Sequence, residues 1–140
     1  MVYADSSFLA SLYLKDAHSA AALKLIETHP AICLTPLHLA ECFHAFMQQA
    51  YFGKIAESDA LQLCDLLRQD SANKIWHEAA VPEYAFENCV ELARKYGRKF
   101  GIRTLDSLHV ACALELQAER FWTFDERQAK LAKAAGLKSS

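Results

Sequence analysis

The chain has 140 residues, of which 53% are hydrophobic and 23% are charged, with only 4 Gly and 3 Pro. This length and composition are typical of one helix-rich globular domain and exclude disordered and fibrous proteins. The formal net charge of −2 gives no bulk attraction for nucleic acid. We therefore expect a single domain spanning residues 1–140.

The N-terminus and the cysteines indicate the compartment. The first residues lack the basic and apolar segments of a secretory signal, and no apolar run approaches the roughly 20 residues needed to cross a bilayer. We therefore expect a cytoplasmic protein with no membrane partner. The five cysteines are odd in number, form no C-x-x-C pair and predict buried free thiols rather than a disulfide framework.

The first half of the chain alternates short apolar runs with helical patterns, which is typical of βαβ units and a parallel sheet. In chain order, the predicted elements are a strand at 2–4, helices at 7–14 and 18–29, a strand at 31–35, a helix from 36 to about 53 and a helix at 57–69. Pro36 suits the first turn of its helix. Spacings of three and four residues predict an apolar face with Leu37, His44 and Met47 on that helix.

The second half continues the alternation. Its predicted elements are a short strand at 74–77, a long helix from 82 to between 97 and 101, a helix from 104, a strand at 121–124 and a helix from 125 to about 136. The long helix has an apolar stripe formed by Ala85, Cys89, Leu92 and Tyr96. Asp125 is the predicted N-cap of the last helix, with Gln128 as its capping-box partner.

Four acidic residues occupy positions where α/β folds bind their ligands, beyond the carboxyl ends of the strands. Asp5 and Asp125 each follow a predicted strand directly, and Asp106 lies in the first turn of its helix. Glu41 lies about a turn and a half into the helix after the second strand. Because clustered carboxylates repel one another, they indicate a hard divalent cation such as Mg²⁺ or Mn²⁺ among them. Such a site suits hydrolysis of phosphodiester bonds.

Each acid also has a simpler interpretation. Asp5 and Asp125 are good N-cap residues, Asp106 complements a helix dipole, and Glu41 could be an ordinary glutamate at the edge of the apolar face of its helix. These roles leave open an alternative function, that of a non-catalytic module that binds RNA or a partner protein. A phosphatase with an aspartyl nucleophile needs a second acid two residues after the first, and Ser7 occupies that place.

Several histidines could be mistaken for metal ligands. His38 and Cys42 are spaced i,i+4, but zinc sites usually take such pairs of ligands from two segments, and the sequence has no second His/Cys pair. A core position is therefore favoured over a zinc site. His109 lies on an apolar stripe of its helix and is expected to be a core histidine with a hydrogen-bond partner.

Five cations fall within ten residues, namely Arg94, Lys95, Arg98, Lys99 and Arg103. An acidic site cannot attract RNA unaided, so this stretch is a candidate for phosphate contacts. Arg103 stands three residues before Asp106 and is the best candidate, followed by Arg98 and Lys99. The alternative is a solvated helix end whose cations suit the C-terminal dipole.

Four short motifs together resemble the PIN-domain nucleases, especially the VapC-type toxins of prokaryotic toxin–antitoxin pairs. The motifs are Asp5-Ser6-Ser7, Thr35-Pro36 through Ala40-Glu41, Arg103 through Ala111, and Thr123-Phe124-Asp125-Glu126-Arg127. The resemblance runs from Val2 to about Leu137. It implies a three-layer α/β/α sandwich around a four- or five-stranded parallel sheet, although the usual last strand is missing or shortened after Gly136.

The resemblance also implies a function. It suggests an endoribonuclease that uses Mg²⁺ or Mn²⁺, forms a homodimer and binds a small antitoxin protein that plugs its acidic groove. The implied metal-binding and catalytic residues are Asp5, Glu41, Asp106 and Asp125, with Ser6 or Thr123 tuning them by hydrogen bonding. Arg127 occupies a position where some members have another acid, so a fifth ligand is not expected.

Overall fold

The computed structural model describes residues 1–139, whose contacts fall into two units. Met1–Asp5 and the chain from Val81 onward form one unit, and Ser6–Ala80 forms the other. The single domain over residues 1–140 stays a prediction. No helix in the described part of the chain has the length and apolar character needed to cross a bilayer.

The structure contains each of the predicted helices, with short strands between them. In chain order, the elements are β1 (Val2–Ala4), α1 (Ser6–Tyr13), α2 (Ser19–Thr28), β2 (Cys33–Leu34), α3 (Pro36–Tyr51), α4 (Glu57–Ala72), β3 (His77–Glu78), α5 (Ala85–Phe100), α6 (Thr104–Glu115), β4 (Arg120–Trp122) and α7 (Glu126–Ala134). β3 begins later than expected because the chain first passes through a left-handed turn at Lys74, where φ is 60°.

The first unit is built on β1 and β4, which are parallel and aligned so that Tyr3 pairs with Phe121. The rings of these two residues stack with their centroids 5.8 Å apart. α5, α6 and α7 pack against one another beside the strands. α6 is buried all round from Ser107 to Ala113, which is the pattern of a central core helix. The predicted α5 stripe is buried at Ala85, Cys89 and Leu92, as expected.

The second unit pairs β2 with β3, also in parallel, and packs α1 against α2 and α3, and α3 against α4. The prediction of the apolar face of α3 is wrong, because the buried face is shifted by about one residue around the helix. The buried residues are His38, Cys42 and Phe46, whereas His44 is exposed. His38, Cys42 and Phe46 follow one another at intervals of four residues and form one buried row, and the His38 Nδ1 at its start accepts a 3.0 Å hydrogen bond from the Thr35 N–H.

The described strands form two pairs, one in each unit. A single four- or five-stranded sheet within a three-layer sandwich stays a prediction. Within residues 1–139, the segment after Gly136 forms only an isolated parallel bridge between Phe121 and Ser139. The Phe121 N–H also donates to the Lys138 carbonyl oxygen at 2.8 Å. The last strand is therefore reduced to a single bridge in the part of the chain that is described.

All five cysteines are free and buried, which confirms the sequence prediction. Burial raises the pKa of the Cys64, Cys89 and Cys112 thiols above the usual value. The thiol form therefore predominates at neutral pH for these residues, and they act as small apolar side chains of the core.

Candidate active site

Asp5 and Thr123 lie side by side because they follow two paired parallel strands. The last register pair of β1 and β4 is Ala4 with Trp122, and the Asp5 N–H donates to the Trp122 carbonyl oxygen at 2.9 Å. Both side chains are buried, at 5% exposure for Asp5 and 6% for Thr123. The Thr123 hydroxyl donates to Asp5 Oδ2 over 2.8 Å. The strand pairing thus delivers one predicted acid to the carboxyl end of the strands.

The Thr123 hydroxyl is the centre of a network that includes three predicted acids. Its oxygen accepts the Asp125 N–H at 3.0 Å and lies 2.7 Å from Gln128 Oε1, so its single proton serves either Asp5 or Gln128 at one time. Gln128 in turn donates from Nε2 to the backbone oxygen of Asp106 at 3.1 Å. Two neutral side chains therefore connect the Asp5 carboxylate with the backbone of Asp106 and of Asp125.

Gln128 is the residue that sequence analysis assigned wrongly. It was expected to complete a capping box with Asp125, but the Asp125 N–H donates to Thr123 instead. Gln128 is only 1% exposed and points its amide into the network. The sequence does indicate that Gln128 is buried, because Leu131 and Ala132 follow at i+3 and i+4 and place Gln128 on the buried face of α7.

Asp125 is the N-cap of α7, as predicted. Its Oδ1 accepts the N–H groups of Arg127 at 2.8 Å and Gln128 at 3.1 Å. Burial alone would raise the pKa of this carboxyl, but the two N–H groups and the guanidinium groups of Arg127 and Arg103 outweigh it and hold the pKa below its usual value. Asp125 is therefore a carboxylate at neutral pH.

The lowered pKa of Asp125 makes its contribution to stability depend on pH. Because the folded pKa lies below the unfolded value of about 3.9, the charged form stabilises the fold above that pH, and this contribution is lost as the pH falls through the folded pKa. Asp125→Asn keeps a good N-cap but removes the charge. We expect it to lower the free energy of unfolding by about 0.5 kcal/mol at pH 7.

This difference should be smaller at an acidic pH below the unfolded value of about 3.9 than at pH 7, because the parent carboxyl gains its proton as the pH falls through its lowered folded pKa. Urea unfolding of both proteins in EDTA at the two pH values measures it. An equal difference at both pH values would contradict the assignment of the lowered pKa to Asp125.

Asp106 lies in the first turn of α6 and forms an ion pair with Arg103, whose Nε is 2.9 Å from Asp106 Oδ2. The Arg103 side chain is 71% exposed and that of Asp106 is 19% exposed. Arg103 thus lies beside one of the acids, and its contact with RNA stays a prediction. Arg98 and Lys99 are exposed residues in the last turn of α5.

Glu41 belongs to the second unit, where it is half-buried on α3. It accepts a 2.6 Å hydrogen bond at Oε2 from the hydroxyl of Ser6, the first residue of α1. The thiol of Cys42 donates to the Ser6 carbonyl oxygen at 3.6 Å. Ser6, predicted to tune an acid by hydrogen bonding, thus holds Glu41, and it directly follows Asp5 in the chain.

The four acids and the two hydroxyls offer only oxygen atoms, which is the donor set that Mg²⁺ and Mn²⁺ prefer. The chemistry of the residues therefore fits a hard divalent cation. Between residues 1 and 139, however, no three acidic, histidine or cysteine side chains stand close enough together to enclose a metal ion. Asp106 and Asp125 instead have contacts with donors of the protein itself, Arg103 and the backbone of α7.

The two histidines expected in the core are there. His38 is fully buried and bound to Thr35 through Nδ1. His109 is 2% exposed, and its Nδ1 lies 2.9 Å from the hydroxyl of Tyr3 on β1. Both histidines therefore have structural roles that need no metal ion.

Comparison with known proteins identifies the fold. The model of the PIN domain family matches residues 2–134, and no curated protein sequence matches the chain. VapC20 from Mycobacterium tuberculosis, a toxin that cleaves the sarcin-ricin loop, has a similar structure at 17% identity, with a TM-score of 0.71 over 98% of this chain and 96% of that one.

Two further structures are similar. VapBC2 from Rickettsia felis, bound to a DNA fragment from its promoter, shares 16% identity with a TM-score of 0.67 over 100% of this chain and 98% of that one. FitAcB from Neisseria gonorrhoeae shares 12% identity with a TM-score of 0.67 over 99% and 96%. At these identities the likeness concerns the fold alone. Because the family model matches nearly the whole length, this chain belongs to the PIN domain family.

Proposed function

We propose that the protein is a metal-dependent endoribonuclease and the toxin of a toxin–antitoxin pair. The observation that carries the proposal is the network in which Thr123 and Gln128 join the Asp5 carboxylate to the backbone of Asp106 and of Asp125 at the carboxyl end of β1 and β4. Asp125 caps α7, and Asp5 is buried at the end of β1, where it accepts a hydrogen bond from the Thr123 hydroxyl. The likeness to a toxin that cleaves RNA gives additional support.

The proposed ligands of the cation are Asp5, Glu41, Asp106 and Asp125. When bound, Mg²⁺ or Mn²⁺ would supply an acidified water and positive charge against the phosphate. The protein orients its carboxylates through neutral donors, Thr123 for Asp5 and Ser6 for Glu41. Neutral donors restrict rotation of a carboxylate without cancelling the negative charge that attracts a cation.

Arg103 has a proposed role in both the empty and the substrate-bound protein. Its exposed ion pair with Asp106 stabilises the fold by less than about 1 kcal/mol, so a divalent cation can replace it easily. The guanidinium, once displaced, is well suited to a bidentate contact with an RNA phosphate. Lys99 and Arg98 extend the positive charge along the end of α5 and are proposed to contact RNA further from the cut.

The proposed reaction is hydrolysis of an RNA phosphodiester. The oxygen of water forms a bond to phosphorus, and the bond between phosphorus and the 3′ oxygen breaks. The leaving 3′ oxygen takes up a proton, so the products are a 3′-hydroxyl and a 5′-phosphate. The proposal includes a small antitoxin partner, pairing with a second copy of the chain and a cytoplasmic location.

Incubating the purified protein with total RNA tests the nuclease directly. We expect cleavage in Mg²⁺ or Mn²⁺, none in excess EDTA, and 5′-phosphate ends when the products are mapped. Undiminished cleavage in EDTA would overturn the metal-dependent mechanism. Binding of RNA without cleavage under every metal condition would favour the alternative, a non-catalytic binding module.

A further inference from the structure

Two arginines lie at the starts of helices, where a positive charge is unfavourable. Arg103 is the N-cap residue of α6, and Arg127 is the second residue of α7. The N-terminus of a helix carries a partial positive charge, so a cation there destabilises the helix. A guanidinium also has no acceptor for the first N–H groups of a helix, and the Arg103 side chain makes no capping bond. The stability of the two helices therefore does not explain either arginine.

The neighbouring cations of α5 are in the opposite situation. Arg98 and Lys99 lie in its last turn, where positive charge complements the negative end of the helix dipole. Their charges thus have a structural explanation in addition to any contact with RNA. Residues that oppose a local preference are better indicators of function, because proteins mainly keep such conflicts at functional sites.

The starts of α6 and α7 lie side by side, so both arginines belong to the same end of this unit. Gln128 of α7 donates from Nε2 to the carbonyl oxygen of Asp106 in α6 at 3.1 Å. Arg103 Nε is 2.9 Å from Asp106 Oδ2, and Arg127 Nη2 is 3.6 Å from Asp125 Oδ2. Each guanidinium therefore lies beside one of the proposed cation ligands.

Arg127 is also held from a second side, by the end of α5. Its Nη1 donates to the carbonyl oxygen of Gly101, the left-handed C-cap residue of α5, at 3.5 Å. The last carbonyl groups of a helix have no partner within it, which makes this oxygen available. The Arg127 side chain is nevertheless 50% exposed. Within residues 1–139 its guanidinium contacts only these two groups, so Nε and further protons on both Nη atoms remain for a ligand.

We propose that Arg127 is a phosphate-binding residue, which together with Arg103 receives the RNA phosphate that flanks the scissile one. The inference rests on the proposed nuclease function, in which the scissile phosphate belongs to the cation held by the acids. A guanidinium can donate two parallel hydrogen bonds to two phosphate oxygens. Arg127 is fixed between Gly101 and Asp125 before RNA arrives, which reduces the cost of ordering it. Arg103 differs, because it must first leave Asp106.

Binding of RNA in EDTA tests the subsite without any cleavage step. The probe is a fluorescent single-stranded RNA of about 12 nucleotides, and its anisotropy is followed from about 50 to 300 mM KCl. For single strands, the logarithm of the association constant falls with the logarithm of salt concentration by about 0.7 for each neutralised phosphate. Arg127→Gln should weaken binding about fivefold at low salt and flatten this slope by about 0.7. Arg127→Lys should keep the slope, because it keeps the charge, but should bind less tightly than the parent.

Lys133→Gln is the matched control, because it makes the same change of net charge at the other end of α7. It should leave the slope unchanged. Arg127→Gln should shift the melting temperature by no more than about 3 °C, since its ion pair is exposed and its charge opposes the helix dipole. A loss of affinity caused by a damaged fold would instead accompany a lower melting temperature.

An unchanged slope in Arg127→Gln, or an equal flattening in Lys133→Gln, would overturn the subsite. A parent protein that binds no RNA even at the lowest salt concentration would overturn it as well. These outcomes are separate from failure of the nuclease proposal. Metal-dependent cleavage with an unchanged slope would remove only the role of Arg127, whereas a flattened slope without cleavage in any metal would support the subsite and contradict the nuclease.

Discussion

Replacing Asp106 with asparagine is expected to reduce RNA cleavage at least about 100-fold while the protein stays folded. The amide is neutral and a poor ligand for a divalent cation, and the charge stabilisation that such a cation supplies amounts to several kcal/mol. The fold survives because the ion pair lost with Arg103 is exposed, with Arg103 71% accessible, and stabilises the protein by less than about 1 kcal/mol.

Glu115→Gln is the matched control, because it makes the same chemical change at the opposite end of α6. It should retain full cleavage. Single-turnover cleavage of a defined RNA and the melting temperature of each variant provide the two measurements. Full activity of Asp106→Asn in Mg²⁺ would remove Asp106 from the proposed metal site and leave it with the helix-dipole role.

Replacing Thr123 with valine is expected to lower the free energy of unfolding by about 2–4 kcal/mol and to reduce cleavage strongly. Valine has nearly the same shape but lacks the hydroxyl, so the buried Gln128 Oε1 and the Asp125 N–H each lose this partner. Asp5 loses the hydrogen bond that helps to hold its carboxylate beside β4. We expect both the free energy of unfolding and the cleavage rate to fall, since the same hydroxyl oxygen contacts the buried Gln128 and the proposed ligand Asp5.

Thr123→Ser separates the two contributions, because it restores the hydroxyl and removes only a methyl group. We expect it to lie within about 1.5 kcal/mol of the parent in urea unfolding and to keep most of the cleavage activity. A valine variant as stable as the parent would show that the hydroxyl network has little energetic importance. The proposal that Thr123 orients Asp5 would then have no support.

The helices were predictable from the sequence because each repeats its pattern over several turns. α5 shows this clearly, with Ala85, Cys89 and Leu92 buried as expected. The strands were harder to predict, since β2 and β3 have two residues each and cannot display a period. Their limits are set by pairing between distant segments. α3 shows a third case, because its apolar residues are spread over neighbouring faces, so their spacing fits more than one buried face, and the structure buries the face with His38, Cys42 and Phe46.

The site was predictable where topology alone fixes it. Asp5 and Thr123 follow parallel strands, and the carboxyl ends of such strands meet at one edge whatever the side chains do. The role of Gln128 was not predictable in the same way. A side-chain amide can close a local cap or reach a distant backbone oxygen, and only the packing of α7 near Asp106 selects the second.

The burial of all five cysteines makes them reporters of transient opening. A thiol that is enclosed and protonated reacts with an aromatic disulfide reagent only after its surroundings move apart. Cys89 and Cys112 would then report on one half of the molecule, and Cys33, Cys42 and Cys64 on the other. Mass spectrometry of peptides would measure the labelling rates of the two groups in native buffer. Similar or different rates would show whether the two units open together or separately.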